Sequence, residues 1–318
     1  MPNLSVAMIG PVDYAKDLGK KGTSTDITLF DIKRDLDTVS LIEPTKYPDR
    51  LASLYYACAV ADAALVVVEE INAQFGECVL MLDVMGIKKG YLVLKNFIAK
   101  EQIVPLIKAT VVEGYEVLDD DPVKIRERLL EDAAKQSQAE EGRGSVPIDH
   151  HFNVKGVGTV VLGFVAKGTI KKHETLQVLP TKKEALVRSI QKHDDDSDTA
   201  TRGDRVGLAL KGIESEELDR GFVLSNDPEI KGESRILGPA RLVKYWPSPL
   251  KEGMVLHIGH WMQFMPAKVV AVQNGSDWRQ PTLELVMEKD LVHQPKTRAA
   301  LCYLDGGKLR VVGSIALA

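Results

Sequence analysis

Val146-Pro147-Ile148-Asp149-His150-His151-Phe152-Asn153-Val154-Lys155-Gly156-Val157-Gly158-Thr159-Val160-Val161 opens the part of the chain whose reading decides the fold. It continues as Leu162-Gly163-Phe164-Val165-Ala166-Lys167-Gly168-Thr169-Ile170-Lys171. It closes about thirty residues later on Gly203-Asp204-Arg205-Val206-Gly207-Leu208-Ala209-Leu210-Lys211-Gly212-Ile213. Short β-branched runs punctuated by glycine at hairpin spacing predict a small closed barrel. Gly156-Val157-Gly158 reads as a hairpin turn. A dinucleotide fingerprint is excluded there, because its sixth position is Val161 and no βαβ pattern surrounds it. Asn226-Asp227-Pro228 and Lys231-Gly232 punctuate a second boundary. Two β domains are therefore expected, 146–230 and 231–318.

Upstream the pattern changes. Leu4–Ile9, Ile27–Ile32, Thr38–Ile42, Ala63–Val68 and Gly90–Leu94 read as strands, several of them continuous apolar runs suited to a sheet buried on both faces. Arg50–Ala61, Ala73–Met85, Ala99–Thr110 and Pro122–Gln138 read as helices, the last with proline at an early position. This alternation predicts an α/β domain over 1–138 with a mostly parallel sheet. The polar stretch 136–145, bearing Gly142 and Gly144, reads as a linker.

With 44% hydrophobic and 27% charged residues, the composition is that of an ordinary globular protein. No apolar run reaches the roughly 20 residues of a membrane span, and Met1-Pro2-Asn3-Leu4 does not start a secretory signal. Cys58, Cys78 and Cys302 are too few and too scattered for a disulfide framework or a zinc site. A cytoplasmic location is expected. The net charge of −4 does not announce a nucleic-acid binder, although local basic patches work on acidic proteins. The runs Asp119–Asp121 and Asp194–Asp196 read as solvated loops. His257 and His260 lie three apart in an alternating segment, which points them to opposite faces rather than at one metal.

A phosphate-binding loop needs glycines for close backbone approach, a lysine on the terminal phosphates and a Ser/Thr on Mg²⁺. Gly10-Pro11-Val12-Asp13-Tyr14-Ala15-Lys16-Asp17 stands in the right place, after the first strand. It is similar to the Gly-His-Val-Asp-His-Gly-Lys-Ser/Thr loop of translational GTPases. The barrel stretch 146–213 likewise resembles the second domain of elongation factor EF-Tu and of its selenocysteine-specific relative SelB, and the whole resembles an archaeal SelB-type paralogue. Met254–Val272 and Leu309-Arg310-Val311-Val312-Gly313 resemble third-domain segments of SelB. The resemblance implies a Rossmann-like P-loop GTPase-type domain followed by two β-barrels, the EF-Tu domains 2 and 3.

Against the family pattern, Gly10, Val12, Asp13 and Lys16 match, while Ala15 replaces a glycine and Asp17 the Mg²⁺ ligand. Glu43-Pro44-Thr45-Lys46-Tyr47 replaces Asp-x-Pro-Gly-His, so Lys46 stands for the glycine whose amide meets the γ-phosphate and Tyr47 for the water-positioning histidine. Leu94-Lys95-Asn96-Phe97 replaces Asn/Thr-Lys-x-Asp, with Phe97 in place of the base-reading carboxylate. Only nine residues separate Lys16 from Asp26, where the family has a helix and a switch loop; Lys21–Asp26 reads as its remnant. The resemblance thus implies a degenerate nucleotide site at Gly10, Asp13, Lys16, Asp17 and Lys95. It also implies an aminoacyl-tRNA pocket at Asp149, His150 and Arg205, which alternatively form a structural ion pair. No catalytic residue, metal or cofactor is expected, and the partner is tRNA, with the ribosome as a further one. Two alternatives stay open: a working GTPase in which Asp17 or Ser24 holds Mg²⁺ beside GTP or GDP, and a scaffold protein that has lost both ligands. The sequence stops where a third barrel would, without the further extension of SelB, which speaks against selenocysteine recoding by that route.

Overall fold

Asn3–Ile9 (β1) is buried along its whole length, and its side chains alternate between the two sides of the sheet as the period of a strand requires. Leu4, Val6 and Met8 join one core cluster with Ile125, Leu129, Leu130 and Ala133. In the computed structural model, which describes residues 3–136, 142–307 and 309–318, the chain divides into two units. The first is Met1–Ser137 with Leu304–Val311, and the second is Gln138–Tyr303 with Val312–Ala318.

In the first unit β1 is followed by β2 (Lys20–Ser24), β3 (Thr28–Arg34), β4 (Asp37–Glu43), α1 (Leu51–Ala59), β5 (Ala63–Val68) and α2 (Ala73–Met85). Then come β6 (Lys89–Leu94), α3 (Lys100–Ile107), β7 (Glu116–Leu118) and α4 (Pro122–Ala134). The sheet order is β2-β3-β4-β1-β5-β6-β7. Strands β4, β1, β5, β6 and β7 run parallel, and β2 and β3 add an antiparallel edge. α4 packs on one face, and α1 lies against β1 and β4. Both ends of α2 are closed by local chemistry: Asn72 accepts the amide of Phe75 at 2.9 Å, and Gly86 ends the helix at φ 70°. α4 starts on Asp121, whose carboxylate accepts the amides of Val123 and Lys124 at 3.0 and 3.3 Å. The run Asp119–Asp121 is therefore more than a solvated loop.

The second unit is built from strands, with one 3₁₀ turn at Ser215–Glu217. It holds β8 (Ser145–Val154), β9 (Gly158–Phe164), β10 (Thr169–Lys171), β11 (Thr175–Leu179), β12 (Lys183–Lys192), β13 (Asp195–Ser197), β14 (Thr199–Thr201), β15 (Arg205–Lys211) and β16 (Val223–Ser225). After these come β17 (Lys231–Leu242), β18 (Val255–His260), β19 (Gln263–Gln273), β20 (Thr282–His293), β21 (Arg298–Cys302) and β22 (Val311–Ala316). The order β11-β16-β8-β9-β15-β12 closes on itself through the β11–β12 pair, with β13 outside β12 and β10 paired to β14. The order β17-β20-β19-β18-β21-β22 forms a second closed barrel. The turn between β8 and β9 carries Gly156 and Gly158 at φ 84° and 95°, the left-handed region that glycine enters at no steric cost.

Of the expected linker, 137–141 lie outside the described residues. Its remaining end belongs to the barrel: Arg143 bridges to Thr169 and Ser145 to Lys167. A Cβ on Gly144 would come within 2.5 Å of Ile170 and 2.7 Å of the Thr169 carbonyl, so that glycine answers a close approach rather than a need for flexibility. Among the described residues, no helix is long and apolar enough to cross a membrane.

Candidate functional site

In open α/β sheets the ligand crevice lies at the carboxyl ends of the strands. The segment after β1 sits there, but it does not lead into an α-helix. Asp13 turns the chain at φ 71°, a single 3₁₀ turn spans Tyr14–Asp17, and the chain passes into β2. Two fully buried residues, Ala15 and Leu18, anchor this turn in the core. The methyl that replaces the family's glycine is thus packed inward. Gly10 is kept for a packing reason too, since a Cβ there would lie 2.7 Å from the Cβ of Val67.

The groups of this loop that would face a nucleotide have partners from within the chain. The amide of Asp13 donates to Glu43 Oε1 at 3.1 Å. Lys16 Nζ lies 2.5 Å from the Asp13 carboxylate. Lys95 Nζ is 3.1 Å from Glu69 and 3.7 Å from Asp120, and it sits 5.7 Å from the ring centre of Tyr14. Tyr14 in turn donates its hydroxyl to Asp120 at 2.6 Å. Those carboxylates hold the Lys95 ammonium above its ordinary range, the hydrogen bond to Glu69 first among the causes. Asp17 is exposed at the end of the turn. Ser24, on β2, shares a hydrogen bond with Thr28 at 2.9 Å, and Thr28 shares another with Thr45 at 2.6 Å.

The replaced switch residues are likewise engaged. The amide of Lys46 donates to the carbonyl of Asp26 at 3.1 Å. The Tyr47 hydroxyl donates toward the Gln74 carbonyl at 3.0 Å and Glu77 Oε2 at 3.1 Å. Phe97 is fully exposed in the left-handed region, at φ 60°. Sequence reasoning brought Asp13, Lys16 and Lys95 to this place. It missed Tyr14, Glu43, Glu69 and Asp120, which complete the network. Tyr14 stood inside the quoted loop and Glu43 at the head of the segment Glu43–Tyr47, and the acidic run at Asp119–Asp121 pointed to Asp120, while nothing in the sequence singled out Glu69.

In the first barrel, Asp149, His150 and Arg205 do come together. Arg205 grips the Asp149 carboxylate with both terminal nitrogens, at 2.5 and 2.9 Å. His150 Nδ1 lies 2.7 Å from the same carboxylate. The backbone carbonyl of Asp149 accepts from Arg220 Nε at 3.0 Å. The Arg205 guanidinium also lies 4.7 Å from the ring centre of Phe164. Asp149 is buried, which pushes its carboxyl up, but the Arg205 charge and the His150 hydrogen bond outweigh burial and hold it below the usual carboxylate range. In the second barrel, His260 faces the core, with Nδ1 3.2 Å from the Arg298 carbonyl. His257 instead stacks on Phe264, ring centres 5.2 Å apart.

The family "Elongation factor Tu domain 2" matches residues 158–225. An uncharacterized protein of Methanocaldococcus jannaschii is 38% identical over 315 residues, covering 98% of this chain and 99% of the relative. The selenocysteine-specific elongation factor of the same organism is 28% identical over 307 residues, covering 87% of this chain and 64% of that factor. This chain thus spans a little under two thirds of that factor's length. Among solved structures, apo elongation factor SelB from Methanococcus maripaludis superposes with a TM-score of 0.82 at 22% identity, covering 99% of this chain and 79% of that one. By its second-domain match, its relatives and its fold, the chain belongs to the EF-Tu/SelB-like translation factor family.

Proposed function

We propose that this protein is a SelB/EF-Tu-like factor that binds an aminoacyl-tRNA or an uncommon tRNA in the cytoplasm, and acts near the ribosome, without a GTPase cycle. One observation carries the loss of the cycle. At the loop amide, the loop lysine, the γ-phosphate amide, the water-positioning residue and the base-side lysine, the group that would meet nucleotide is held by a partner within the chain. A nucleoside triphosphate would have to displace Glu43 from the loop, and the loop has no helix N-terminus to offer it instead. On this reading GTP, GDP and Mg²⁺ do not fit the residues present. Positioning and charge stabilisation are nearly all that a protein contributes to phosphoryl transfer, so little is left here to accelerate it.

The tRNA half of the reading is supported by the second-domain match and by the convergence of Asp149, His150 and Arg205. The bidentate Asp149–Arg205 pair favours a second reading, in which the barrel is kept as a scaffold and the pocket is a structural lock. Two experiments test the proposal: the first its nucleotide half, the second its tRNA half against the scaffold. Calorimetry should find no micromolar GDP binding, and guanine-selective binding at that level would overturn the first half. Pull-down of the full chain with RNA sequencing should recover tRNA; its absence would favour the scaffold.

A further inference from the structure

The loops that follow β1, β5, β6 and β7 stand side by side at one end of the sheet, because those strands are neighbours in the order β1-β5-β6-β7. Hydrogen bonds tie the loops together. The Lys95 amide donates to the Val68 carbonyl at 2.9 Å, Asn96 Nδ2 to the Glu69 carbonyl at 3.0 Å, and the Tyr14 hydroxyl to Asp120 at 2.6 Å. This end carries apolar groups that the core does not use: Val12, Ile71 and Phe97 are exposed, one on each of three adjacent loops. Phe97 is fully exposed at φ 60°, a left-handed conformation in which a bulky residue is an outlier. Strain of this kind clusters where a protein meets a ligand or partner. Beside these residues opens a cavity of about 310 Å³, bordered by Val12 and walled by Ile9, Pro11, Val66 and Phe75. That is near the small end of ligand-site volumes, room for one large apolar side chain.

Charge decides what could cover this apolar surface. The same loops carry Asp13, Asp17, Glu69, Glu70 and Asp119–Asp121 against Lys16, Lys95 and Lys124, an excess of four negative charges. Each lysine is already held by a carboxylate: Lys16 by Asp13 at 2.5 Å, Lys95 by Glu69 at 3.1 Å and Lys124 by Asp119 at 3.0 Å. A nucleic acid or an acidic peptide would meet like charge at this rim. A cationic segment complements it, and an arginine on that segment can lie over the open face of Phe97.

We propose that this end of the first unit docks a lysine- and arginine-rich segment of a partner protein, which places one large apolar side chain in the cavity and an arginine on Phe97. The proposal rests on the nucleotide half of the proposed function, since a bound nucleotide would lie at the same carboxyl ends of the strands.

The test uses the full chain and three fluorescein-tagged pentapeptides, Lys-Arg-Leu-Arg-Lys, Lys-Arg-Ser-Arg-Lys and Glu-Glu-Leu-Glu-Glu, in anisotropy titrations. The first should bind saturably, the second about tenfold more weakly for want of the apolar anchor, and the third not at all. Phe97→Gly removes the ring and suits the backbone, and should weaken the first peptide about fivefold. Glu70→Lys should weaken it as well. Asp198→Lys makes the same change of charge at an exposed position of the first barrel and should leave the affinity unchanged. No saturable binding of the first peptide, equal binding of the first two, or equal losses from Glu70→Lys and Asp198→Lys would each overturn the proposal. So would an oligouridine that binds the wild type and loses affinity in Phe97→Gly. GDP titrated alone keeps the two readings apart: micromolar GDP binding overturns the nucleotide reading, whereas a chain that binds neither GDP nor the first peptide overturns only this one.

Discussion

Arg205 and Asp149 show what a residue type discloses and what it hides. That the two meet was legible, because the resemblance put both at one end of a barrel. That both terminal nitrogens of Arg205 are spent on Asp149 and that its face lies against Phe164 depends on side-chain rotamers, which no spacing encodes. The pairing has a stability consequence. Arg205→Ala would leave a carboxylate that is 1% exposed without its guanidinium, and removing one partner of a buried pair typically costs about 3–5 kcal/mol. Urea unfolding should register a loss of that order, and a loss below about 1 kcal/mol would show the pair to be solvated. His260 gives a prediction in pH. Burial, with the neighbouring His293 charge adding to it, pushes its ring down to about 4. The unfolded ring takes its proton near 6.5, so the unfolded state binds more protons between these values. The contribution is present above about pH 6.5 and lost as pH falls through about 4, amounting to roughly 3 kcal/mol in full. His260→Gln should lose correspondingly less stability between pH 7 and pH 4 than the wild type. Parallel pH profiles would assign the acid sensitivity elsewhere.

At the scale of elements, the continuous apolar runs and the alternating barrel strands were readable because each buries whole faces. β2 and β7 were not. β2 is almost wholly exposed, Lys20-Lys21-Gly22-Thr23-Ser24, and β7 is a three-residue edge with two exposed side chains, so neither leaves an apolar period in the sequence. Nine residues between Lys16 and Asp26 did betray the missing helix, since an α-helix and a mobile loop need more chain. They did not betray that the gap is closed by a 3₁₀ turn with Ala15 and Leu18 in the core. This distinction makes the loop testable. If the fault lay in two residues, Ala15→Gly with Asp17→Thr would restore nucleotide binding. Because the element itself has changed, the double variant should still bind GDP more weakly than micromolar in a fluorescence titration. The backbone amides of the loop would remain opposite Glu43, and there would still be no helix behind them. Recovery of guanine-selective binding would place the loss in side chains alone.

For the molecule as a whole, the decisive quantity is the ratio of affinities for charged and uncharged tRNA. If the protein binds tRNA as proposed, phosphate contacts are shared by both forms and release counterions, so binding of either should weaken steeply and linearly in log salt, even to a chain of net charge −4. Only the aminoacyl group distinguishes them. Arg205→Ala is a poor probe of that group, because a stability loss would accompany any binding loss. His150→Ala is better: it removes one polar group at the same spot and leaves the guanidinium on Asp149. If the barrel still holds an acceptor end, His150→Ala should lower the charged-to-uncharged ratio by about 1 kcal/mol, or roughly fivefold, with the salt slope unchanged. The two terms are separable because phosphate neutralisation sets the slope and a single contact sets the offset. A ratio near one in the wild type, at any salt concentration, would mean that the barrel does not read the amino acid. The scaffold reading would then account for a buried ion pair kept where a substrate pocket once opened.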